Sequence, residues 1–343
     1  MFGRLRNKRA AASADSAKAS GATAELLTGS AELADELRRA LIRVECGHTE
    51  VSVDEDSRPV LSLQVEDMDA AVALGRSPLC LVLTADWDGV LEGERCAEVH
   101  RSVLNDWNAA HTVPRAVAVL DADGEARVHL DTVMDCSAGA TPAQVDEWVR
   151  RALAGLSQVT EFLDEEYPDA RRVGSPDDDA QEDTEVTEVA DTAELVAGEK
   201  VTLDRIAAVL PGETVSIKED GASGRRGNGY VRTVGAAAPD IALHDGTLAV
   251  TTGAAFGDTG EVPDDAVAWL HAVCAQVNTE PDGVVSVVTV DEGEIIMTCA
   301  LHRPVGAGMG EAQLSAVITA AREQVGHRFS GLVAEVTGGV DDA

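Results

Sequence analysis

The sequence predicts an α+β protein that contains two tandem copies of one unit, each an antiparallel sheet packed with helices. Patterns of helix and strand occur in the order α-β-β-β-α-β-β-α, and the same order returns in the second half of the chain. Landmark residues of the two halves are 169 positions apart, as for Gly124 with Gly293 and Gln144 with Gln313. A chain of 343 residues is also long enough for two domains. A duplicated unit explains the element order and the offset together.

The first copy shows each element of this order. It begins with an apolar helical face formed by Leu33, Leu37 and Leu41, and the alternating runs TEVSVD and VLSLQVE then predict a hairpin. The run LCLVLTADW predicts a buried strand, and GERCAEVHRSVLNDWN predicts the second helix. The segment RAVAVLDADGEARVHLD predicts two strands around an Asp-Gly turn. The long last helix should have Thr141 as its N-cap and Pro142 at its first position.

The second copy repeats these patterns after residue 200. VTLDRIAAVL predicts a helix, and ETVSIKED, GYVRTV and TLAVTT predict three strands. PDDAVAWLHAVCAQVN predicts the second helix of this copy. GVVSVVTVDEGEIIMTCAL then predicts a hairpin with Gly293 in its turn, and GEAQLSAVITAAREQVGHRFSGLVAEV predicts the last helix.

A break in composition separates the two copies. The segment from Pro168 to Lys200 is rich in carboxylates and poor in apolar residues, so self-repulsion and the lack of buriable surface predict an extended, flexible linker. The predicted boundaries are a disordered leader over 1–30, a first domain over 31–168, an acidic linker over 169–199, a second domain over 200–336 and a tail over 337–343.

The composition excludes several classes of function. The formal charge of −34 repels phosphate backbones and anionic lipid, so we expect no nucleic-acid partner. No run of about 20 apolar residues is present, and the basic N-terminus lacks the hydrophobic stretch of a signal peptide. These features predict a cytoplasmic protein without an integral membrane segment. The six cysteines include no CxxC pair, which is typical of cytosolic free thiols.

The sequence shows no arrangement typical of catalysis. Its eight histidines are scattered, and no HExxH or histidine-carboxylate motif gives them metal-ligand spacing. The glycine-rich segment GASGRRGNGY lacks both the lysine of a Walker loop and the GxGxxG pattern of a dinucleotide site. We therefore expect a protein that is not an enzyme and that uses no metal or other cofactor.

Two groups of residues are candidates for partner binding. Trp107 and Asn108 end the second helix of the first copy, and Asn278 is the equivalent of Asn108 in the second copy. The structural alternative is that each asparagine closes its helix in a left-handed conformation while Trp107 lies in the core. Arg225 and Arg226 lie in the glycine-rich segment, where they either contact a peptide or phosphate or belong to a mobile hairpin loop.

Three motifs of the first copy are shared with a known family. They are LNDWN at the end of the second helix, RAVAVLDADGEARVHLD, and CSAGATPAQV at the start of the last helix. With these motifs the first copy resembles the YbjN family of bacterial proteins. The second copy keeps Asn278 and GAGMGEAQL but has Val277 where the first has Trp107, so it resembles a diverged copy. The resemblance implies a fold similar to type III secretion chaperones and a role as a sensory transduction regulator, and it carries over no catalytic residue.

These features together predict a regulatory protein that binds a protein or peptide partner in a chaperone-like manner. The two copies would act as an internal pseudo-dimer within a monomer. Another hypothesis is a small-molecule sensor or an enzyme that uses a groove between the copies, which would need carboxylates or histidines close together there. In a third, the second copy is chiefly structural and covers an exposed sheet of the first.

Overall fold

The structure, a computed structural model, describes most of both predicted units. Its described residues are 25–53, 59–65, 68–76, 79–173, 195, 197–210, 215–219, 228–233, 239–280 and 282–338. Residues 1–24 of the predicted leader and residues 174–194 of the predicted linker lie outside these ranges. Two of the candidate binding residues, Arg225 and Arg226, also lie outside them.

The first unit combines one sheet with a short and a long helix and an irregular helical segment. Its helices and strands are α1 (Ser30–Arg43), β1 (His48–Val53), β2 (Pro59–Val65), β3 (Met68–Arg76), β4 (Leu79–Leu91), α2 (Cys96–Val99), α3 (Asn105–Ala110), β5 (Arg115–Leu120), β6 (Ala126–Asp135), α4 (Pro142–Glu166) and β7 (Arg171–Arg172). The helical segment of α2 and α3 begins with a 3₁₀ turn at Gly93–Arg95 and contains a π turn at His100–Leu104.

The second unit has the same plan with a regular second helix. Its helices and strands are α5 (Leu203–Ala208), β8 (Val215–Glu219), β9 (Gly229–Thr233), β10 (Asp240–His244), β11 (Thr247–Asp258), α6 (Asp264–Val277), β12 (Val284–Asp291), β13 (Glu294–Pro304) and α7 (Glu311–Gly338).

The two sheets are antiparallel and share one strand order. The first runs β1-β2-β3-β4-β6-β5, with β7 paired to the end of β4, and the second runs β8-β9-β10-β11-β13-β12. Strands β5 and β12 therefore lie at equivalent edges. In the first sheet β4 pairs with β6 from Cys80 opposite Asp135 to Leu91 opposite Ala126. The predicted α+β class, with two antiparallel sheets packed with helices, is confirmed.

Each unit contains one strand more than the sequence patterns predicted. The additional strands are β3, which pairs with β2 and β4, and β10, which pairs with β9 and β11. The β3 sequence MDAAVALGR contains three alanines and one glycine, residue types that are depleted in strands. The observed order in each unit is therefore α-β-β-β-β-α-β-β-α.

Each sheet and its helices enclose a separate hydrophobic core. The predicted apolar face of α1 is buried at Leu33, Leu37 and Leu41, where α1 packs against α4. Trp87 and Trp148 are the largest fully buried side chains of the first core. The second core is built mainly from valine, isoleucine, leucine and methionine side chains. The aliphatic second core agrees with the low aromatic content of the chain.

Helix α4 begins as the sequence predicted. The backbone N–H of Gln144 donates to Thr141 Oγ1 at 3.2 Å, and the backbone N–H of Thr141 donates to Gln144 Oε1 at 2.9 Å. This reciprocal capping box, with Pro142 in the first turn, fixes the start of the helix. It also holds the side chain of Gln144 at the boundary between the two units.

Parts of the predicted leader, linker and tail have ordered contacts with the units. Leu27 in the leader pairs with Ala140 through two backbone hydrogen bonds of 2.7 and 3.1 Å. In the linker, Val173 donates to the carbonyl of Asp88, and the N–H of Gly198 donates to the second unit. Helix α7 extends to residue 338, inside the predicted tail. None of the described helices combines the length and apolar content needed to cross a bilayer.

Candidate functional site

The two units contact each other through a pair of equivalent glutamines. Gln144 at the start of α4 and Gln313 at the start of α7 are 169 residues apart. Each amide nitrogen donates to the side-chain oxygen of the other residue, at 3.1 and 2.9 Å. Gln144 also donates to the carbonyl of Gly308 at 2.6 Å, and Gln313 donates to the carbonyl of Gly139 at 2.7 Å. The two glutamines occupy equivalent positions in the two halves of the sequence, and in the structure they form one buried, reciprocal contact.

Charged side chains of α4 extend this boundary. Glu147 accepts hydrogen bonds from the backbone N–H groups of Gly306 at 3.1 Å and Ala307 at 2.7 Å. Arg151, one turn further along α4, donates to Thr247 Oγ1 at 2.6 Å. Backbone and side-chain groups at one end of the second sheet therefore receive hydrogen-bond partners from the first unit.

A buried ion pair lies where β5 approaches the second unit. Arg115 is 4% exposed, and its Nη2 is 2.7 Å from Asp131 Oδ2 on β6. Its Nη1 donates to the carbonyl oxygen of Val284 on β12 at 3.0 Å and lies 3.8 Å from Asp282. Burial raises the pKa of Asp131, and the charge of Arg115 opposes that rise. Arg115 therefore connects the two sheets and stabilises the Asp131 carboxylate.

Two of the candidate asparagines bind the outer strands of the sheets. The side-chain amide of Asn108 donates to the carbonyl of Ala116 on β5 at 2.8 Å, and the N–H of Ala116 donates back to Asn108 Oδ1 at 2.9 Å. Asn278 makes the same pair of hydrogen bonds with Ser286 on β12, at 2.8 and 2.7 Å. Each asparagine thus supplies partners for backbone groups at a sheet edge.

This role differs from the left-handed helix cap expected from the sequence. Asn108 lies inside α3, and Asn278 has φ −71° and ψ −10°, which is a right-handed conformation. Both asparagines are buried. Trp107 is 3% exposed, lies in the first core, and donates from Nε1 to the carbonyl of Pro114 at 2.9 Å. The structure therefore places these three candidates inside the protein, where the two asparagines bind helices to strands and Trp107 binds the residue before β5.

A third asparagine, which the sequence analysis did not select, closes the edge of β12 from the opposite unit. Asn105 of α3 donates from its amide to the carbonyl of Val288 at 2.8 Å, and the N–H of Val288 donates to Asn105 Oδ1 at 2.9 Å. Asn105 is 4% exposed. Asn105 binds the outward backbone groups of Val288, and Asn278 binds those of Ser286. Two alternate residues of β12 are therefore bound by asparagine side chains.

The equivalent position on β5 lacks such a contact within the described part of the chain. The two strand-binding asparagines of the predicted set are 170 residues apart. At that offset, Asn105 and Val288 correspond to Ala275 on α6 and Ala118 on β5. An alanine side chain has no hydrogen-bonding group, so it cannot bind the strand edge as asparagine does. The outward edge of β5 is therefore open at Ala118, whereas the edge of β12 is closed at the equivalent Val288.

A groove of about 860 Å³ lies at this open side. In the second unit α6 forms its wall. In the first unit its walls are the edge of β5 and a surface of the α2 segment, called here the α2 wall, which consists of Gly93, Glu94, Cys96, Ala97, Glu98, His100 and Arg101. Five alanines line it, two from the first unit and three from α6, so much of the surface is apolar and made of small side chains. Ala118 and Ala275 are both among the lining residues. The groove is therefore a composite feature that neither unit forms alone.

Two histidines from opposite units line the groove. His100 is 3% exposed, and His271 on α6 is partly buried. The Nδ1 atoms of both are buried and have no hydrogen-bond partner among the described residues. Burial, followed by the nearby His271, lowers the pKa of His100 to about 4. Burial, followed by the charge of Arg101, lowers the pKa of His271. Both imidazoles are therefore neutral near pH 7.

The α2 wall of the groove carries exposed charged groups. Glu94 and Glu98 contribute two carboxylates, and Arg101 contributes one guanidinium, so this wall is net negative. Burial raises the pKa of the Cys96 thiol, which favours its protonated form. In the described ranges, no group of three or more histidine, cysteine or carboxylate side chains is placed to hold a metal ion. The groove can therefore bind a ligand through apolar contact, hydrogen bonds and attraction of positive charge.

Replacing Asn105 with alanine is expected to lower the free energy of unfolding by about 2 kcal/mol, because two buried backbone groups of Val288 lose their partners. Urea unfolding followed by circular dichroism measures the change. Asp106→Ala, at an exposed position of the same helix, is the matched control and should change stability by less than about 0.5 kcal/mol. Equal stability of the two variants would show that the edge contact contributes nothing.

The comparison with known families covers the first unit. Residues 33–165 match the sequence model of the YbjN family, described as "Putative bacterial sensory transduction regulator". The match extends from α1 to the end of α4. A search of curated proteins found no match. The second unit repeats the strand order of the first, and the family match does not extend to it. Residues 33–165 of this chain are therefore a YbjN domain.

Proposed function

We propose that this chain is a non-enzymatic regulatory protein of the cytoplasm that binds a protein or peptide partner in the groove between its two units. The observation that carries the proposal is the composite groove itself, which combines an open strand edge with an apolar, alanine-rich lining. Concave, mostly apolar sites with a few polar groups are the usual places where proteins bind ligands. The matching YbjN description supports a regulatory role.

The proposal includes an internal pseudo-dimer, in which the second unit takes the place of a partner subunit. Reciprocal hydrogen bonds between Gln144 and Gln313 support it, because equivalent residues meeting each other are typical of a two-fold interface. Such a chain is expected to be a monomer in solution. Size-exclusion chromatography with light scattering measures this directly, and an obligate dimer at micromolar concentration would contradict the pseudo-dimer.

A peptide-binding experiment tests the proposed function. A library of random peptides is selected on the full-length protein, and the affinity of the selected peptides is measured by fluorescence anisotropy. Ala272 is an exposed groove residue of α6, so Ala272→Arg should fill the groove and weaken binding about a hundredfold. Ala316→Arg, at an exposed position of α7 that does not line the groove, is the matched control. Equal binding by both variants would refute the groove as the site.

A second candidate function is small-molecule sensing in the same groove. The specific observation that favours it is the pair His100 and His271, whose buried Nδ1 atoms have no partner within the described residues. Native mass spectrometry of the protein isolated from its own cytosol tests this candidate. A bound metabolite that is retained by wild type and lost from His100→Gln and His271→Gln would favour sensing over peptide binding.

A further inference from the structure

We infer that the partner is bound as an extended segment that adds a strand to the outer edge of β5, with basic side chains directed to the α2 wall. This inference rests on the proposed function and names the form and chemistry of its ligand. Strand addition at a sheet edge is a general way to bind a peptide, in which backbone hydrogen bonds supply affinity.

The hydrogen-bond pattern of β5 leaves part of its edge open. In an antiparallel pair, alternate residues direct their N–H and C=O groups to the partner strand or away from it. Ala116 directs both groups away from β6, because it binds the side chain of Asn108. Two and four residues further along, Ala118 and Leu120 must therefore also face outward. Both line the groove, and Leu120 is 59% exposed.

The corresponding edge of the second sheet shows which groups could pair with the open edge of β5. Val288 is the equivalent of Ala118, and there Asn105 binds both outward backbone groups from the opposite unit. The residue facing β5 in the equivalent position is Ala275, which offers no polar group. A ligand that supplies both an acceptor and a donor can therefore pair with the outward N–H and C=O groups of Ala118.

An extended backbone fits this edge better than a helix. A helix uses its own N–H and C=O groups internally, and would cover Ala118 without supplying partners for its backbone. A strand has a free row of donors and acceptors along its edge. The small side chains of Ala272 and Ala275 on the opposite wall leave room for the side chains of such a strand.

The charge of the α2 wall indicates that the bound segment is basic. The charge of the whole chain argues against a second copy of this chain as the occupant of the groove. The carboxylates of Glu94 and Glu98 outnumber the guanidinium of Arg101 on the α2 wall. The whole chain also has a formal charge of −34. Two copies would therefore repel each other as they approached, while a segment with lysine or arginine among its apolar residues would be attracted.

A backbone N-methyl scan tests strand addition on the ligand side, where protein folding is unaffected. Each peptide bond of a selected peptide is methylated in turn, and its affinity for the full-length protein is measured by anisotropy. Because only alternate N–H groups of a strand face β5, methylation should weaken binding at every second residue by about tenfold to a hundredfold and leave the residues between nearly unchanged. A profile without this alternation would overturn strand addition.

Two protein variants test the same contact and its charge. Ala118→Pro removes one outward N–H, and proline is accepted at outward positions of edge strands, so binding should fall about tenfold. Glu94→Gln with Glu98→Gln should reduce both the affinity for basic peptides and its dependence on salt. Selected peptides without basic residues, or unchanged salt dependence, would overturn the assigned chemistry.

The outcomes separate this inference from the proposed function. If Ala272→Arg abolishes binding but the N-methyl profile is flat, a peptide occupies the groove in another form and only strand addition is wrong. If Ala272→Arg has no effect, the groove is not the site and both proposals fail. A concentration-dependent dimer that Ala118→Pro dissociates would identify a second copy as the occupant and overturn the basic partner.

Discussion

Substituting Arg115 with methionine should lower the free energy of unfolding by about 3–5 kcal/mol, the usual cost of removing one member of a buried ion pair. The arginine side chain is 2% exposed, and it holds Asp131 Oδ2 at 2.7 Å. Asp131 Oδ1 already has no partner in the described structure, so without the arginine the whole carboxyl group would be buried and uncompensated. The carbonyl of Val284 would lose its donor as well.

The cost of this substitution can be separated from a general effect of losing an arginine. Arg127 forms a partly exposed ion pair with Asp121 at 3.1 Å, so Arg127→Met should cost less than about 1 kcal/mol in the same urea titration. The double variant Arg115→Met with Asp131→Leu removes both charges and should recover part of the loss. If Arg115→Met is no worse than Arg127→Met, the ion pair does not stabilise the contact between the sheets.

Much of the fold is predictable from the sequence because the same order of helix and strand patterns occurs in both halves of the chain, at an offset of 169 residues. Gly124 and Gly293 mark the two equivalent hairpins, and local chemistry alone predicts the Thr141 cap. The sequence patterns predict neither β10 nor β3, and in β3 the three alanines and one glycine carry little β-propensity. The pairing of these two strands on both sides within the sheet, a tertiary effect, decides their conformation.

The groove was much harder to predict than the fold. Trp107, Asn108 and Asn278 stand out in sequence because they are unusual residues at helix ends. In the structure the two asparagines attach helices to strands, and Trp107 attaches α3 to the residue before β5. The groove is lined instead by alanines and by histidines from two units, which follow no local pattern. One signal was available: at the offset of 170 that relates Asn108 to Asn278, Asn105 aligns with Ala275.

Lowering the pH is also expected to lower the free energy of unfolding by a large amount, because of the titration of His100. The side chain is 3% exposed and its Nδ1 has no partner within the described ranges. Burial and the neighbouring His271 lower the pKa of His100 from 6.5 to about 4. The other ionisable groups that line the same groove are Glu94, Cys96, Glu98, Arg101 and His271.

The direction of the change in stability depends on whether the folded or the unfolded chain binds a proton at His100. Above pH 6.5 the imidazole is neutral in both the folded and the unfolded chain, and its contribution to stability does not change with pH. Between pH 6.5 and 4 the unfolded chain is protonated while folded His100 stays neutral, so stability falls as the pH falls. At 1.36 kcal/mol per pKa unit, the loss from this one residue is about 3 kcal/mol by pH 4.

The difference between wild type and His100→Gln isolates this contribution from the many carboxylates that titrate in the same range. Glutamine cannot take up the proton, so the variant should lose about 3 kcal/mol less than wild type when urea unfolding is measured from pH 7 to pH 4. The absolute stability of the variant at pH 7 does not enter, because only the change with pH is compared. An NMR titration of the His100 ring gives the pKa directly. Parallel stability curves, or a ring that titrates near 6.5, would mean that His100 is solvated and that the groove wall is not closed around it.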